Sequence, residues 1–337
     1  MFISRKKAML IMNNGMKTIS ADEKRLLGLI QAAFPLIEEP FAVLATTLNM
    51  TEADVIESIK SLKDRGIVRQ IGPVINPPSL GYRTTLVAMK LDPERMAMAE
   101  EAIHGHPGIS HAYEREHEFN LWVTLAVGPG VDIDENATKF GQACGADITV
   151  SLPSVKTFKL KALFGEQLQD ETSSGPSSGS NIALTVIQKQ VVNCLQQDLD
   201  LNPRPWDKMA VESGMGTTQF LSIVSELMDM GVVRRYGANI NHRKAGYTAN
   251  AMTCWKVGKQ DEDAMGAILA LLPEVSHCYT RRLNPEWPYN LFAMIHAGTR
   301  EQCFEIANRV SVERGNPDFT QLFSTREIKK LRNVYQA

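Results

Sequence analysis

The sequence has few cysteines, almost no net charge and no long hydrophobic run, and each shortage excludes a class of protein. Its five cysteines are scattered over 337 residues without a CxxC or Cys/His cluster. This spacing argues against a disulfide framework and against a structural metal site. A formal net charge of −2 provides no overall attraction to nucleic acid or to an anionic membrane. An anionic ligand must therefore be bound by local groups of basic residues.

Hydrophobic residues never form a segment of membrane-spanning length. Three basic residues near the N-terminus precede only the short run AMLIM at positions 8–12, which is too short for a secretory signal. The apolar fraction of 44% and the charged fraction of 22% are typical of globular proteins. The sequence thus predicts a cytoplasmic protein with no membrane partner and with about two to three domains.

One low-complexity segment divides the chain into two similar halves. The segment QDETSSGPSSGSN at 169–181 has the Ser/Gly/Pro composition of a flexible linker. On either side of it, KDRGIVRQIGPVINPPSLGY at 63–82 resembles MDMGVVRRYGANINHRKAGY at 228–247. In the same way, HAYERE at 111–116 resembles HCYTRR at 277–282. The chain is therefore predicted to contain two tandem copies of one unit.

The pattern within each copy predicts two domains. In the first copy, apolar residues at helical spacing, a cap at Thr51 and a stop at Gly66 indicate three helices, and IVRQIGPVINP (67–77) indicates a two-stranded wing. The segments after Gly81 follow the order β-α-β-β-α-β. The predicted fold class is α+β, two tandem copies of a winged helix-turn-helix followed by a ferredoxin-like domain. The predicted boundaries are an N-terminal extension at 1–19, winged helix-turn-helix domains at 20–80 and 182–245, ferredoxin-like domains at 81–165 and 246–337, and a linker at 166–181.

A repeated group of polar residues lies on one strand of each ferredoxin-like domain. At strand period, His111, Tyr113 and Arg115 share one face. The second copy repeats this set as His277, Tyr279 and Arg281. A face that only covered a core would carry Val, Ile or Leu, so these titratable and cationic groups predict a functional site.

The helix-turn-helix pattern resembles the feast/famine (leucine-responsive) regulators, and by itself it indicates DNA binding. A recognition helix, however, needs basic and amide side chains that reach the bases and phosphates. The third helix of the first copy carries four acidic residues between 52 and 64, and the corresponding stretch of the second copy, 213–230, has no Lys or Arg. We therefore expect no specific nucleic-acid binding, and interpret these domains as a scaffold or a dimerisation surface.

The motifs also resemble those of siroheme decarboxylase, a family built on the feast/famine architecture from two related subunits. HAYEREHEFNLWVTL at 111–125 and HCYTRRLNPEWPYNLFAMIHA at 277–297 resemble strands of the two subunits, and PEWPYNLF is the more specific match. The chain resembles a fusion of both subunits over about 20–165 and 182–335. The resemblance implies conversion of two acetate side chains of siroheme to methyl groups, giving 12,18-didecarboxysiroheme in the synthesis of haem or haem d1.

The implied chemistry assigns a role to each candidate residue. Siroheme carries many carboxylates, which arginines bind bidentately, and loss of CO₂ requires a proton donor while the macrocycle accepts the electrons. The predicted catalytic residues are His117, His111, Tyr113 and Arg115. The predicted substrate-binding residues are His277, Tyr279, Arg281, Arg282, Trp287, Arg234 and Arg235, with Arg243 and Lys244 nearby in sequence. Trp287 is predicted either to stack on the macrocycle or to anchor a loop.

Several points stay open at this stage. A histidine can donate a proton or ligate the iron, and no cofactor or metal is expected beyond the iron of the siroheme substrate. The two halves are expected to pair with each other, and a higher homo-oligomer is left open. His104, His106, His242 and His296 lack a motif and are interpreted as structural or surface residues. A ligand-sensing transcriptional regulator and a non-catalytic haem-binding module are the alternative functions.

Overall fold

The computed structural model describes residues 19–160, 181–240, 249–315, 318–331 and 333–337. Most of the predicted N-terminal extension, most of the predicted linker, and the segment with His242, Arg243 and Lys244 lie outside the described residues.

Each half contains three helices, a strand, and a β-α-β-β-α-β unit. The first half consists of α1 (Ala21–Ala32), α2 (Pro40–Leu48), α3 (Glu52–Asp64), β1 (Val68–Ile75), β2 (Arg83–Lys90), α4 (Met96–Gly105), β3 (Ile109–Arg115), β4 (Leu121–Val127), α5 (Ile133–Ala143) and β5 (Ile148–Leu160). The second half consists of α6 (Val186–Leu195), α7 (Asp207–Glu212), α8 (Thr217–Asp229), β6 (Val233–Ile240), β7 (Ala249–Trp255), α9 (Glu262–Leu271), β8 (Val275–Arg281), β9 (Leu291–Ala297), α10 (Arg300–Glu313) and β10 (Phe319–Lys330).

The helices begin and end where the sequence predicts. Thr51 begins α3 with a capping box, in which its side chain accepts a hydrogen bond from the backbone N–H of Asp54. Equivalent boxes begin α1 at Ser20 and α6 at Thr185. Gly66 follows α3 with a φ of 65°, a left-handed conformation that glycine adopts without a Cβ clash. Helices α1 to α3 and α6 to α8 pack into one hydrophobic core shared by the two halves.

The predicted two-stranded wing is wrong, because the segment 67–77 contains only one strand. This strand, β1, pairs with β6 of the other half in antiparallel register, with Gly72 opposite Gly237. No turn forms at Gly72, since its backbone lies within the ladder, and the strand instead buries alternate apolar residues against the helices. A Cβ on Gly237 would lie 2.6 Å from the carbonyl oxygen of Ile30, so α1 packs directly on this β1–β6 ribbon.

The eight remaining strands form one closed barrel in the order β10-β3-β4-β2-β5-β8-β9-β7. The long strands β5 and β10 close it, because each belongs to both halves. Residues 148–153 of β5 pair with β2 of their own half, and residues 154–160 pair with β8. In the same way, β10 pairs first with β7 of its own half and then with β3. The two halves therefore pair with each other within one chain.

Side chains alternate between the outside and the inside of the barrel. The outward set, with Val123 and Leu125 of β4, packs beneath α4 and α5, and the second half repeats this arrangement beneath α9 and α10. The inward set includes Trp122 and Phe292. All five cysteines are free. Among the described residues, no helix combines the length and the apolar character needed to cross a membrane.

Cleavage of the chain within 169–180 should leave the two halves associated. Three backbone ladders join them, namely β5 with β8, β10 with β3, and β1 with β6. A protease site placed there should yield two fragments that elute together in size-exclusion chromatography at the volume of the uncut chain. Separate elution of the fragments would contradict this account of the barrel.

Candidate functional site

The predicted polar residues form two matching ladders inside the barrel. On β3, His111 lies opposite Thr124 and Tyr113 lies opposite Trp122, and Trp122 belongs to the interior cluster. On β8, His277 and Tyr279 lie opposite residues of β9 that also face inward. The sequence prediction that each triad shares one strand face is confirmed by this register. The histidine lies at one end of each ladder, and the arginine lies at the other end.

A β-bulge shapes the start of each ladder. The register shifts between Ile109 and His111 and again between Val275 and His277, so that the intervening serine is an extra residue in its strand. Ser110 Oγ lies 2.9 Å from Nδ1 of His111. Ser276 Oγ lies 2.7 Å from Nδ1 of His277. Each bulge therefore fixes the Nδ1 atom of its histidine.

The arginines at the other end of the ladders bind backbone and aromatic groups. Arg115 donates from Nη1 to the carbonyl oxygen of Leu322 at 2.8 Å, and its guanidinium carbon lies 5.5 Å from the ring centroid of Tyr113. Arg281 donates from Nη1 to Leu152 at 2.7 Å and lies 5.3 Å from Tyr279. Both carbonyls belong to the other half, so the two arginines also hold the halves together.

Basic residues of the β1–β6 ribbon and of β10 lie beside the histidine end of the ladders. Arg69 of β1 pairs with Glu327 at 3.0 Å and donates to the carbonyl oxygen of Lys330 at 3.2 Å. Lys330 is the residue opposite His111 in the β10–β3 ladder. On the second half, Arg234 of β6 donates to Asn76 at 2.6 Å and lies close enough to Tyr279 to influence its ionisation.

Burial controls the ionisation of these groups. It lowers the pKa of His111 to about 4, with Lys330 and Arg69 adding to the shift and Glu327 opposing it. Burial also raises the pKa of Tyr279 to about 12, against the positive charges of Arg281 and Arg234. His111 is therefore a neutral imidazole and Tyr279 a neutral phenol at pH 7.

His117 and Trp287 meet at the opposite, hairpin end of the barrel. Their rings lie 5.4 Å apart, and Trp287 also packs on Phe119 and Trp122. His111 lies near the start of β3, whereas His117 follows the end of that strand at Arg115. Trp287 is only 1% exposed and packs as a loop anchor, and its stacking on a macrocycle stays a prediction. Burial lowers the pKa of His117.

Two predicted substrate-binding arginines have partners elsewhere in the structure. Arg235 is half-buried and donates to the backbone carbonyl of Gln31 in the helical layer, and its burial lowers its pKa. Arg282 is exposed on the outside of the barrel and pairs with Asp134 at 2.6 Å. The structure thus brings together both ladders and Arg234, but it separates them from His117, Trp287, Arg235 and Arg282.

Sequence reasoning missed several residues of the histidine end. Ser110 and Ser276 precede the two histidines, and the repeat of Ser-His-x-Tyr in both copies is a signal that would have identified them. Arg69 is the counterpart of Arg234 at the repeat offset, so the same comparison would have found it. The proximity of Lys330 and the contacts of His296 carry no sequence signal, because they depend on which strands become neighbours.

Comparison with known proteins places this architecture in a defined group. A family model described as an AsnC-like ligand binding domain matches residues 79–159 and 244–329. A second, described as a siroheme decarboxylase NirDL-like HTH domain, matches residues 23–69. The chain thus belongs to the class of proteins that combines helix-turn-helix and AsnC-like domains.

Full-length similarity identifies the family. The siroheme decarboxylase of Hydrogenobacter thermophilus is 35% identical over 92% of this chain and 94% of its own length. The crystal structure of the siroheme decarboxylase NirDL has a TM-score of 0.71 at 33% identity, covering 94% of this chain and 95% of that chain. A NirDL structure in complex with an iron-uroporphyrin III analogue has a TM-score of 0.70 at 32% identity, with the same coverage. The chain belongs to the siroheme decarboxylases, a family of carboxy-lyases, and the family prediction is confirmed.

Acidification should destabilise the fold through His111. Its pKa falls from 6.5 to about 4 on folding, so below pH 6.5 the unfolded chain binds a proton that the folded chain does not, and the free energy of unfolding decreases. His111→Gln should remove about 2 kcal/mol of the decrease between pH 7 and pH 5, as measured by urea unfolding. His104→Gln, on the exposed face of α4, is the matched control. An unchanged pH dependence in His111→Gln would contradict the buried, neutral imidazole.

Proposed function

We propose that this enzyme removes CO₂ from two acetate side chains of siroheme, giving 12,18-didecarboxysiroheme, and that the reaction takes place at the ribbon-facing end of the barrel. The observation that carries the proposal is the pair of His-Tyr ladders, His111 with Tyr113 and His277 with Tyr279, beside the basic side chains of Arg69 and Arg234.

In domain terms, we describe each half as a helix-turn-helix joined to a ferredoxin-like domain.

The dimensions of the barrel favour its end over its interior. An eight-stranded barrel has an interior just wide enough for side chains, and here Trp122, Trp287 and Phe292 occupy it. A macrocycle with acidic arms at every corner does not fit there. It can lie across the barrel end, with single carboxylate arms reaching the ladders. A relative with the same full-length fold binds an iron-uroporphyrin III analogue, which supports a tetrapyrrole-sized site.

Charge at this end suits a polycarboxylate. Arg69 and Lys330 lie next to His111, and Arg234 lies next to Tyr279. Arg281 lies at the opposite end of its ladder, where a backbone carbonyl and aromatic rings are its contacts. The charge available to the substrate at the histidine end is therefore that of Arg69, Lys330 and Arg234.

Binding of the substrate would also prepare the histidines for proton transfer. Carboxylates next to His111 favour its charged form and raise its pKa from the low value that burial gives it. In each decarboxylation the bond between the methylene carbon and the carboxylate breaks, CO₂ leaves, and the methylene carbon takes one proton. We assign this proton to Nε2 of His111 or His277, with Tyr113 and Tyr279 as hydrogen-bond partners. The macrocycle carries its own electron sink, so the proposal includes no further cofactor.

DNA binding and simple haem binding are the competing functions. Helix α8 carries no basic residue, so specific nucleic-acid recognition is not part of the proposal. A haem-binding module would bind the tetrapyrrole and release no CO₂.

Mass spectrometry of the products tests the reaction directly. The purified protein, incubated with siroheme without oxygen, should yield products lighter by one and then by two CO₂. If a Soret shift reports binding but siroheme is recovered unchanged, the result contradicts the proposed decarboxylase activity and supports a haem-binding module. If the Soret shift is also absent, the result contradicts the proposed tetrapyrrole-binding site.

Substitutions test which end of the barrel carries the reaction. His111→Gln and His277→Gln should keep the Soret shift but lower kcat about a hundredfold, because a positioned proton donor is lost. Arg69→Gln should mainly weaken binding, by about 1.5–3 kcal/mol for a charge-assisted hydrogen bond. His104→Gln is the control for histidine removal. If only His117→Gln abolishes turnover, as the sequence prediction of a catalytic His117 implies, the reaction lies at the hairpin end instead.

A further inference from the structure

Four side chains form a hydrogen-bonded chain that begins at His277. Ser276 Oγ lies 2.7 Å from Nδ1 of His277 and 2.6 Å from Nε2 of His296. Nδ1 of His296 in turn contacts Oδ1 of Asn250 on the neighbouring strand. Ser276 is 2% exposed and His296 is 8% exposed. The chain therefore connects the candidate proton donor of the second half to a second, buried imidazole.

The first half has the serine but lacks the rest of this chain. Ser110 contacts His111 in the same way as Ser276 contacts His277. The position corresponding to His296 on β4 is Ala126, and its neighbour across the β2–β4 ladder is Thr84, whereas His296 lies opposite Asn250 in the β7–β9 ladder. A methyl group and a hydroxyl thus replace the imidazole and the amide, and no second imidazole continues from Ser110.

The protonation state of His296 determines the direction of the hydrogen bonds. Asn250 Oδ1 accepts the hydrogen of His296 Nδ1, so in neutral His296 the Nε2 atom accepts from the hydroxyl of Ser276. Ser276 then accepts from His277 Nδ1, and His277 Nε2 carries a lone pair. In protonated His296, Nε2 donates to Ser276, the hydroxyl donates to His277 Nδ1, and His277 Nε2 carries a hydrogen.

We infer that His296, with Ser276 and Asn250, positions and reloads the proton that His277 supplies, so that the two halves of the enzyme contribute unequally to the two decarboxylations. This inference rests on the proposed function. His277 Nε2 gives its proton to the methylene carbon as CO₂ leaves. The hydroxyl proton of Ser276 moves to His277 Nδ1, and the proton on His296 Nε2 moves to Ser276 Oγ. One proton is consumed, His296 becomes neutral, and each other group regains its protonation.

Three charged residues lie on elements next to the hydrogen-bonded chain. The backbone carbonyl of Glu274, in the turn before β8, accepts from the backbone N–H of His296 at 2.9 Å. On the other sides, Lys159 of β5 donates to the carbonyl of Leu272, and Arg234 of the ribbon lies near Tyr279.

Kinetics of matched variants test the relay. His296→Ala and Ser276→Ala should each lower kcat between about tenfold and a hundredfold, with KM within about twofold of the wild type, because binding groups are untouched. The product that has lost one CO₂ should accumulate. Added imidazole should restore His296→Ala but not Ser276→Ala, and it should leave His104→Ala unchanged. Wild-type kcat in His296→Ala, or equal losses in Ser110→Ala and Ser276→Ala, would overturn the inference.

Nuclear magnetic resonance separates this inference from the proposed function. In protein labelled with ¹⁵N-histidine and free of substrate, the ring nitrogens of His277 should exchange tautomers as His296 titrates. In His296→Ala this exchange should disappear. An identical His277 tautomer at every pH in both proteins would overturn the relay even if siroheme is decarboxylated. Coupled titration in a protein that releases no CO₂ would instead support the relay and contradict the proposed reaction.

Discussion

The exchange of strands between the two halves is the constraint on which the rest of the structure depends. Strands β5 and β10 each leave their own sheet midway and complete the sheet of the other half. The first part of each strand pairs with its own half and the second part pairs with the other half, which closes the barrel. Without this exchange, β3 and β8 would be edge strands, and the carbonyl groups that bind Arg115 and Arg281 would be absent. The strand exchange that closes the barrel therefore also forms the candidate site.

Duplication has produced two sites with the same frame and different surroundings. Both ladders begin with a serine in a bulge and end with an arginine on an aromatic ring. His111 has a charged neighbour, Lys330, at the paired position of β10, whereas the paired position beside His277 is Leu160. The second site instead has His296. A substrate that loses two acetates in succession presents two different reacting arms, and unlike sites suit this asymmetry.

The helix-turn-helix layer has a structural role in this arrangement. It supplies β1 and β6, and this ribbon brings Arg69 and Arg234 to the end of the barrel. A wing that in a regulator would lie along DNA is here a strand pair buried against helices on one face. The same architecture can therefore serve different chemistries, because side chains at a site, and not the fold, determine what a protein binds.

Local patterns in the sequence determined the helices, their caps, the repeat and the shared face of each His-Tyr-Arg triad, because each depends on residues close together in the chain. The family also followed from contiguous motifs. Only the tertiary structure decided that 67–77 forms one strand with a partner from the other half, that Trp287 is a buried anchor and that His296 joins His277 through Ser276. Those outcomes depend on which distant strands become neighbours. Backbone pairing and packing between the two halves stabilise that arrangement, and local sequence patterns do not predict such long-range contacts.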